Sequence, residues 1–167
     1  MDPARAEGLL AALERLRADA ASGATLDIEL IRRWQRPVLG TPPPPPFRTL
    51  PAFAKGGRER YGLAPDTRAR FDACLAESAE DRSAPLPLAA RAARAYLDVC
   101  FFHPFDDGNG RSAFLTLVFV LAREGGTLDD VSLLRRLTYR ADDPRDALLL
   151  TRHVGAHLAG VRSPQRS

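Results

Sequence analysis

The chain has 167 residues, of which 45% are hydrophobic and 27% are charged, and its formal net charge is +3. This length and balance predict one globular domain with a sizeable core, and they exclude a fibrous or largely disordered protein. No apolar run approaches the roughly 18 residues of a membrane span, so we expect no membrane association.

The N-terminal part predicts two helices. Residues 1–22 predict an amphipathic N-terminal helix, because Asp2 and Pro3 suit the cap and first turn and leucines recur on one face. A second helix follows Thr25 and is expected to stop before Pro37, which cannot donate a backbone hydrogen bond.

A proline run and a hairpin come next. Residues 42–46 are all proline, which predicts an extended, stiff spacer more than a ligand for a proline-binding partner. Residues 47–61 roughly alternate apolar and polar side chains, which is typical of a hairpin. Its turn is predicted at Lys55, Gly56, Gly57 and Arg58.

The remaining segments read as helices of increasing burial. A short helix from Asp66 to about Glu77 is followed by a polar linker over residues 78–87 and a long helix ending at Phe102. Residues 111–123 are apolar nearly all round, which predicts a central buried helix ended by the following glycine pair.

The C-terminal part predicts two closing helices, over residues 129–137 and 144–158, and a disordered tail over residues 161–167. His153 and His157 lie four residues apart, which suits a metal, but no third ligand is near in sequence. We therefore expect partly exposed helical histidines there.

Cysteine usage and charge narrow the class of protein further. Cys74 and Cys100 are far apart on predicted helices, so we expect two free thiols. Lys55 is the only lysine, and the arginines alternate with acids instead of clustering with aromatic residues. A nucleic-acid partner is therefore disfavoured. The N-terminus does not resemble a secretion signal, so we expect a cytoplasmic protein, and the arginine-rich composition is typical of a GC-rich bacterium.

The loop over residues 103–111 contains the side chains that can carry chemistry. It reads His-Pro-Phe-Asp-Asp-Gly-Asn-Gly-Arg. Its glycines let backbone N–H groups point into one concavity, and the helix that follows adds the positive end of its dipole, so the loop predicts a phosphate site. Arg111 suits phosphate oxygens, Asp107 suits Mg²⁺, and His103 suits a general base near neutral pH.

This loop resembles the signature of the Fic family, His-Pro-Phe-x-Asp/Glu-Gly-Asn-Gly/Lys-Arg, at every position. Residues 25–39, 47–49 and 86–102 resemble further parts of the family's core, more weakly. The resemblance implies an all-α Fic fold over residues 23–160, with a helical bundle around a central buried helix and a small β-hairpin flap.

The resemblance also implies a protein nucleotidyltransferase, or AMPylator. Such an enzyme transfers AMP, or another nucleoside monophosphate, from ATP or another nucleoside triphosphate to a Ser, Thr or Tyr hydroxyl of a target protein. By motif position, His103 would deprotonate the hydroxyl and Asp107 would hold Mg²⁺ on the α- and β-phosphates. Arg111 would bind phosphate oxygens and stabilise pyrophosphate. The anion hole would comprise Gly108, Asn109 and Gly110.

The flap in this family pairs with the target chain by strand addition. The resemblance therefore implies that the turn contributes to target docking, through Lys55, Gly56, Gly57 and Arg58. Lys55 or Arg58 is also a candidate to reach the γ-phosphate. An antitoxin partner is compatible with the family.

One position departs from the AMP-transferring members. Phe114 stands where they usually carry a second arginine, which binds the γ-phosphate and contacts an inhibitory glutamate. Three alternatives therefore stay open: transfer from another nucleotide donor, a Doc-like protein kinase toxin, and a non-catalytic nucleotide-phosphate-binding module. Doc-like loops, however, have Lys at the position of Gly110. Glu7 in Pro3–Gly8 only weakly matches the inhibitory motif and would lack its arginine, so we predict no intrinsic glutamate switch.

Overall fold

The computed structural model describes residues 3–79, 86–132, 134 and 139–160. Six helices are bounded within those ranges: α1 (Pro3–Ala21), α2 (Ile28–Leu39), α3 (Thr67–Ala79), α4 (Leu88–Phe102), α5 (Asn109–Arg123) and α6 (Pro144–Ala156). Two antiparallel hairpins accompany them, one of β1 (Ala52–Ala54) and β2 (Glu59–Tyr61), the other of β3 (Thr127–Leu128) and β4 (Leu158–Ala159). The predicted all-α fold with a small β-hairpin flap is confirmed.

Helix α5 occupies the centre of the core. It packs against α4, α1 and α2, and Trp34 of α2 lies with its ring 5.0 Å from that of Phe119. Burial of apolar side chains on most of its circumference is the main force that holds the bundle together. The fully or nearly fully buried apolar residues of α5 are Ala113, Leu115, Leu117, Phe119, Val120 and Leu121.

Helix α2 continues through Pro37, so the prediction that it stops before this residue is wrong. Asp27 caps its N-terminus by accepting a hydrogen bond from the Leu30 N–H at 2.8 Å, and Gly40 ends it with a φ of 67°. Because Pro37 lies in the last turn, its missing N–H removes only one helical hydrogen bond. Packing of α2 against α1 and α5 outweighs that loss.

A glycine allows α1 to approach α2 closely. Gly8 faces the backbone carbonyl of Pro37, and a Cβ on Gly8 would collide with that oxygen. Gly155 in α6 is different, because its nearest neighbour would be the Ala89 Cβ at 3.7 Å, an ordinary contact. The first glycine is therefore required by packing and the second is not.

Other helix boundaries shift modestly from the predicted ones. Helix α3 follows Asp66 and runs on to Ala79, past the predicted Glu77. Helix α6 ends before Leu158, because Leu158 pairs with Leu128 in the second hairpin, which is too short to be predicted. Much of the predicted linker over residues 78–87 and of the predicted helix over residues 129–137, and the whole tail over residues 161–167, lie outside the described residues.

Helix α4 carries a partly buried acid, Asp98, whose side chain is 18% exposed. The Oδ2 atom of Asp98 has no hydrogen-bond partner within the described ranges and lies 3.8 Å from Nε of Arg94. Burial raises the pKa of Asp98 to about 6, Arg94 opposes the increase and Glu77 adds to it. This carboxyl group therefore titrates in mildly acidic solution.

Cys74 and Cys100 are free thiols, as predicted.

Among the described residues, no helix has the length and apolarity that a membrane span requires.

Candidate active site

The loop between α4 and α5 opens into a groove of about 1180 Å³, named here the flap groove. The flap, β1 and β2 with their turn, forms one wall, and the end of α4 and the start of α5 form the floor. The lining includes residues 54–55, 59–64, 100–103, 109–110 and 139–142. His103, Asn109, Gly110 and Lys55 therefore line the same groove.

His103 ends α4 in a strained backbone conformation. Its φ of 49° and ψ of 59° lie in the left-handed region, which is uncommon for a residue with a Cβ. Its N–H donates to the Val99 carbonyl at 2.9 Å, and its carbonyl accepts from Nε of Arg48 at 2.7 Å. These contacts hold the helix end in the conformation that directs the imidazole into the groove.

The imidazole of His103 is half-buried and stacked. The Tyr61 ring lies parallel to it, with centroids 3.9 Å apart and planes inclined by 13°, and Nδ1 lies 3.4 Å from the Cys100 carbonyl. Burial lowers the pKa of His103, and Arg48 lowers it further, against opposing effects of the Cys100 carbonyl and Glu59. A neutral imidazole near pH 7 suits a general base.

Arg48 joins the flap to the end of α4. Its buried guanidinium donates to two carbonyls at the end of α4, those of Phe102 and His103, at 3.1 and 2.7 Å. It also donates to carbonyls on either side of the flap, those of Leu50 and Gly62, at 2.7 and 2.6 Å. Helix C-terminal carbonyls lack helical partners, and a cation there also complements the helix dipole.

Asn109 shapes the loop from inside. Its buried side chain accepts from the Phe105 N–H at 2.9 Å and donates to the Phe105 carbonyl at 2.7 Å. Phe105 itself is fully buried and anchors the loop in the core. The Asn109 side chain thus holds the loop's curvature, and the donor that this residue offers to the groove is its backbone N–H.

Gln35 of α2 supports the loop from the other side. It is fully buried, donates to the Asp107 carbonyl at 2.8 Å and accepts from the Ser112 hydroxyl at 2.6 Å. Gly108 has a φ of 77°, and a Cβ on it would collide with the Gln35 amide. Glycine is therefore required at residue 108 both by its backbone conformation and by this contact.

The start of α5 presents hydrogen-bond donors that suit an anion. The N–H groups of Asn109 and Gly110 have no hydrogen-bond partner among the described residues, as expected for the first turn of a helix. Arg111 lies beside them, with Nη2 at 3.5 Å from the Asp107 carboxylate and Nη1 at 3.3 Å from the Val38 carbonyl. The free N–H groups and the guanidinium together favour a phosphate group.

Comparison with known proteins identifies the family of this chain. A sequence model of the Fic/DOC family matches residues 25–121, which is more than half of the chain. The chain belongs to the Fic/DOC family. Its fold is similar to that of a Fic-domain-containing signaling protein from Bacteroides thetaiotaomicron, with a TM-score of 0.67 and 23% sequence identity over 92% of this chain and 67% of that chain. No curated protein matches this chain in sequence.

Asp107 is one of two adjacent exposed acids in the Fic loop, together with Asp106. Its side chain is 67% exposed, and its Oδ1 accepts from the Gly108 N–H at 2.7 Å. Its other oxygen is the one that approaches Arg111. An exposed carboxylate at the edge of an anion site is available to a cation that arrives with a phosphate.

The tip of the Fic flap is internally bonded. Lys55 pairs with Glu59 at 2.6 Å, and Nε of Arg58 donates to the Lys55 carbonyl at 2.9 Å. Gly56 and Gly57 have φ values of 67° and 86°, which only glycine adopts without strain, so the predicted turn is confirmed. Lys55 lines the flap groove and Arg58 does not, which favours Lys55 as the flap cation nearer a bound phosphate.

Phe114 lies one turn after Arg111 on α5. It is partly buried and packs against the hydrophobic core. It supplies no charge to the groove. The Fic site of this chain therefore has one arginine on α5 near the anion site.

The two C-terminal histidines lie outside the flap groove. His153 is only 7% exposed, so the prediction of partial exposure is wrong for it, and packing of α6 against α4 is the reason. His157 is half-buried and contacts Asp129 through Nδ1 at 2.8 Å. The described ranges contain no group of three metal-ligating side chains.

Proposed function

We propose that this Fic/DOC protein is a nucleotidyltransferase that transfers AMP, or another nucleoside monophosphate, from a nucleoside triphosphate to a Ser, Thr or Tyr hydroxyl of a target protein. One juxtaposition carries the proposal. The uncharged imidazole of His103 lies in the same groove as the free N–H groups at the start of α5, so a base and a phosphate site face one cavity.

The reaction assigns a role to each of these groups. The target hydroxyl oxygen forms a bond to the α-phosphorus while its proton passes to Nε2 of His103. The bond from the α-phosphorus to the bridging oxygen breaks, and pyrophosphate leaves with the electron pair. The N–H groups of Asn109 and Gly110 and the Arg111 guanidinium stabilise the charge on the phosphate oxygens.

Mg²⁺ fits this site as an ion shared between the protein and the nucleotide. Magnesium in nucleotide sites usually takes one or two carboxylates together with substrate phosphates, so a cluster of protein ligands is not required. Asp107 offers an exposed carboxylate beside the anion site and is the residue that would hold the ion. When bound, Mg²⁺ would neutralise phosphate charge.

The flap is the proposed docking site for the target. Strands β1 and β2 form an isolated two-stranded sheet, so an edge is available for strand addition. Phe53 is 61% exposed on β1 and Leu50 is 70% exposed just before it. These apolar side chains would contact the target segment that carries the modified hydroxyl.

A Doc-like kinase is the second candidate, and Phe114 is the observation that favours it. A kinase transfers the γ-phosphoryl group, so the nucleotide must bind with its γ-phosphorus, not its α-phosphorus, in line with His103. Without a second arginine near the start of α5, this site has no α5 side chain there to hold the γ-phosphate of a leaving pyrophosphate. The same catalytic base serves both reactions.

The position of an isotope label in the nucleotide distinguishes the nucleotidyltransferase from the kinase. Purified protein is incubated with Mg²⁺, a host lysate and ATP, GTP, CTP or UTP labelled on the α- or the γ-phosphate. Label transferred from the α-phosphate supports the proposal, and label from the γ-phosphate alone replaces it with the kinase. His103→Ala is expected to lower the transfer about 100-fold or more.

The matched control is His157→Ala, which removes a half-buried histidine outside the groove and is expected to leave the rate unchanged. No label above the His103→Ala background in any lysate or with any nucleotide, together with measurable nucleotide binding, would favour a non-catalytic binding module. Transfer at full rate in excess chelator would contradict the magnesium assignment, and Asp107→Ala should reduce the Mg²⁺ dependence in parallel with the rate.

A further inference from the structure

The imidazole of His103 is weakly tethered by hydrogen bonds. Within the described part of the chain, its one hydrogen-bond contact through a ring nitrogen is between Nδ1 and the Cys100 carbonyl. That distance is 3.4 Å, which is longer than the usual range of about 2.7–3.2 Å. Nε2 has no partner among the described residues. The backbone fixes where the Cβ of His103 points, but rotation about the Cβ–Cγ bond has no strong hydrogen bond to oppose it.

Tyr61 supplies the restraint that the hydrogen bonds lack. Its ring covers one face of the imidazole at a centroid distance of 3.9 Å and an angle of 13°. A parallel stack restricts tilting of the imidazole plane but leaves the ring edge, where both nitrogens lie, uncovered. The stack therefore fixes the plane of the base, the contact with the Cys100 carbonyl distinguishes Nδ1 from Nε2, and Nε2 stays accessible.

Tyr61 is itself held at both ends. Its hydroxyl donates to Glu59 at 3.0 Å, and Glu59 is held by Lys55 at 2.6 Å. Burial, together with Glu59, raises the pKa of Tyr61 to about 12, so the phenol remains a donor at neutral pH. Its backbone pairs with Ala52 across the hairpin. A fixed ring of this kind can position a second ring stacked on it.

We propose that Tyr61 is a positioning residue, which holds the imidazole of His103 with Nδ1 toward the Cys100 carbonyl and Nε2 free to accept the substrate proton. The functional part of this inference rests on the proposed transfer reaction, whereas the orientation of the ring does not. The charged groups that face the imidazole are Arg48 and Glu59, and both remain in every variant below.

Two substitutions separate the stack from the hydroxyl. Tyr61→Phe retains the ring and removes the donor to Glu59, and we expect its kcat to stay within about twofold of the wild type. Tyr61→Leu removes the ring. We expect its kcat to fall about tenfold, which corresponds to about 1.4 kcal/mol, with little change in the KM for the nucleotide.

The orientation is measured without nucleotide or target. The chain has only three histidines, so the ¹⁵N signals of His103 can be assigned by comparison with His103→Ala. We expect one neutral tautomer, with hydrogen on Nδ1, in the wild type and Tyr61→Phe, and a mixture of both tautomers in Tyr61→Leu. The unfolding temperature of each variant is measured to check that it is folded.

Several outcomes would overturn the inference. Wild-type tautomer signals in Tyr61→Leu would show that the stack does not orient the ring. An increase of kcat in Tyr61→Leu would show that the stack blocks the base. If the wild type transfers no label at all, the proposed reaction fails, but the tautomer measurement still decides the orientation.

Discussion

Replacement of Arg48 by methionine tests whether one buried guanidinium holds the catalytic helix end and the flap together. Methionine keeps an unbranched apolar stem but loses all four donated hydrogen bonds. At about 1 kcal/mol net for each bond, the free energy of unfolding should fall by about 4 kcal/mol. For a chain of this length the unfolding temperature should fall by about 8–16 °C.

The matched control is Arg68→Met, because Arg68 is 53% exposed on the side chain and pairs with Glu29 on the surface. Such pairs contribute about 0–1 kcal/mol. Urea unfolding followed by circular dichroism gives both free energies. A loss below about 1 kcal/mol for Arg48→Met, comparable with the control, would refute the view that Arg48 clamps these segments.

The same substitution should release the flap before it unfolds the core. Arg48 is bonded to Leu50 and Gly62, which flank the flap, and trypsin cleaves after Lys55 and Arg58 in its turn. Under native conditions, cleavage in the turn should be faster in Arg48→Met than in Arg68→Met. Equal cleavage rates would mean that the flap is held by other contacts.

Four further results are expected. When kcat/KM is plotted against pH, the midpoint of its fall on the acid side should lie below pH 6.5. Burial lowers the pKa of His103, so the neutral imidazole persists to lower pH. A midpoint at or above pH 6.5 would contradict this. Asp98→Asn should stabilise the protein by about 1–3 kcal/mol at pH 7 and by almost nothing at about pH 3, below both pKa values. A carboxyl with a native pKa raised from 3.8 to about 6 binds its proton more tightly when folded, so stability falls as the pH rises through that window. Gly8→Ala should lower the free energy of unfolding by about 1–3 kcal/mol, because the new Cβ would collide with the Pro37 carbonyl oxygen. Gly155→Ala should leave the free energy of unfolding unchanged or raise it slightly. Equal effects of the two substitutions would refute the packing argument. Glu7→Gly should leave the transfer rate within about twofold, and a tenfold increase would reveal a glutamate switch.

The sequence was sufficient for the parts of the fold that depend on local pattern. Apolar periodicity located α5, and the glycine pair at residues 56–57 located the flap turn, because both signals act over a few neighbouring residues. The continuation of α2 through Pro37 was missed because helix packing, which is non-local, decided it. The β3–β4 pairing was missed because two residues per strand carry no detectable alternation.

The residues of the candidate site could be located from the sequence, whereas the residues that support them could not. His103, Asp107 and Arg111 are contiguous in one loop, whereas Gln35 and Arg48 lie far from it in the chain. Gln35 did leave a signal, since it is a polar residue on the apolar stripe of α2 and such residues usually have a buried partner. For Arg48, the proline-rich surroundings give no indication that four backbone carbonyls surround its side chain.

The distribution of these supports explains how a short loop can keep catalytic geometry. Gln35 fixes the backbone at Asp107 from α2, Arg48 fixes His103 from the segment before the flap, and Asn109 fixes Phe105 from within the loop. Because each support comes from a different segment, the loop conformation depends on the whole bundle.

Phe114 stands apart from this network, since it packs on the core side of α5 and none of the loop's hydrogen bonds described above involves it. Under the proposed function, phenylalanine at residue 114 would remove positive charge near the distal phosphates and leave these supports unchanged. The site would then accept a different nucleotide donor with the same loop geometry.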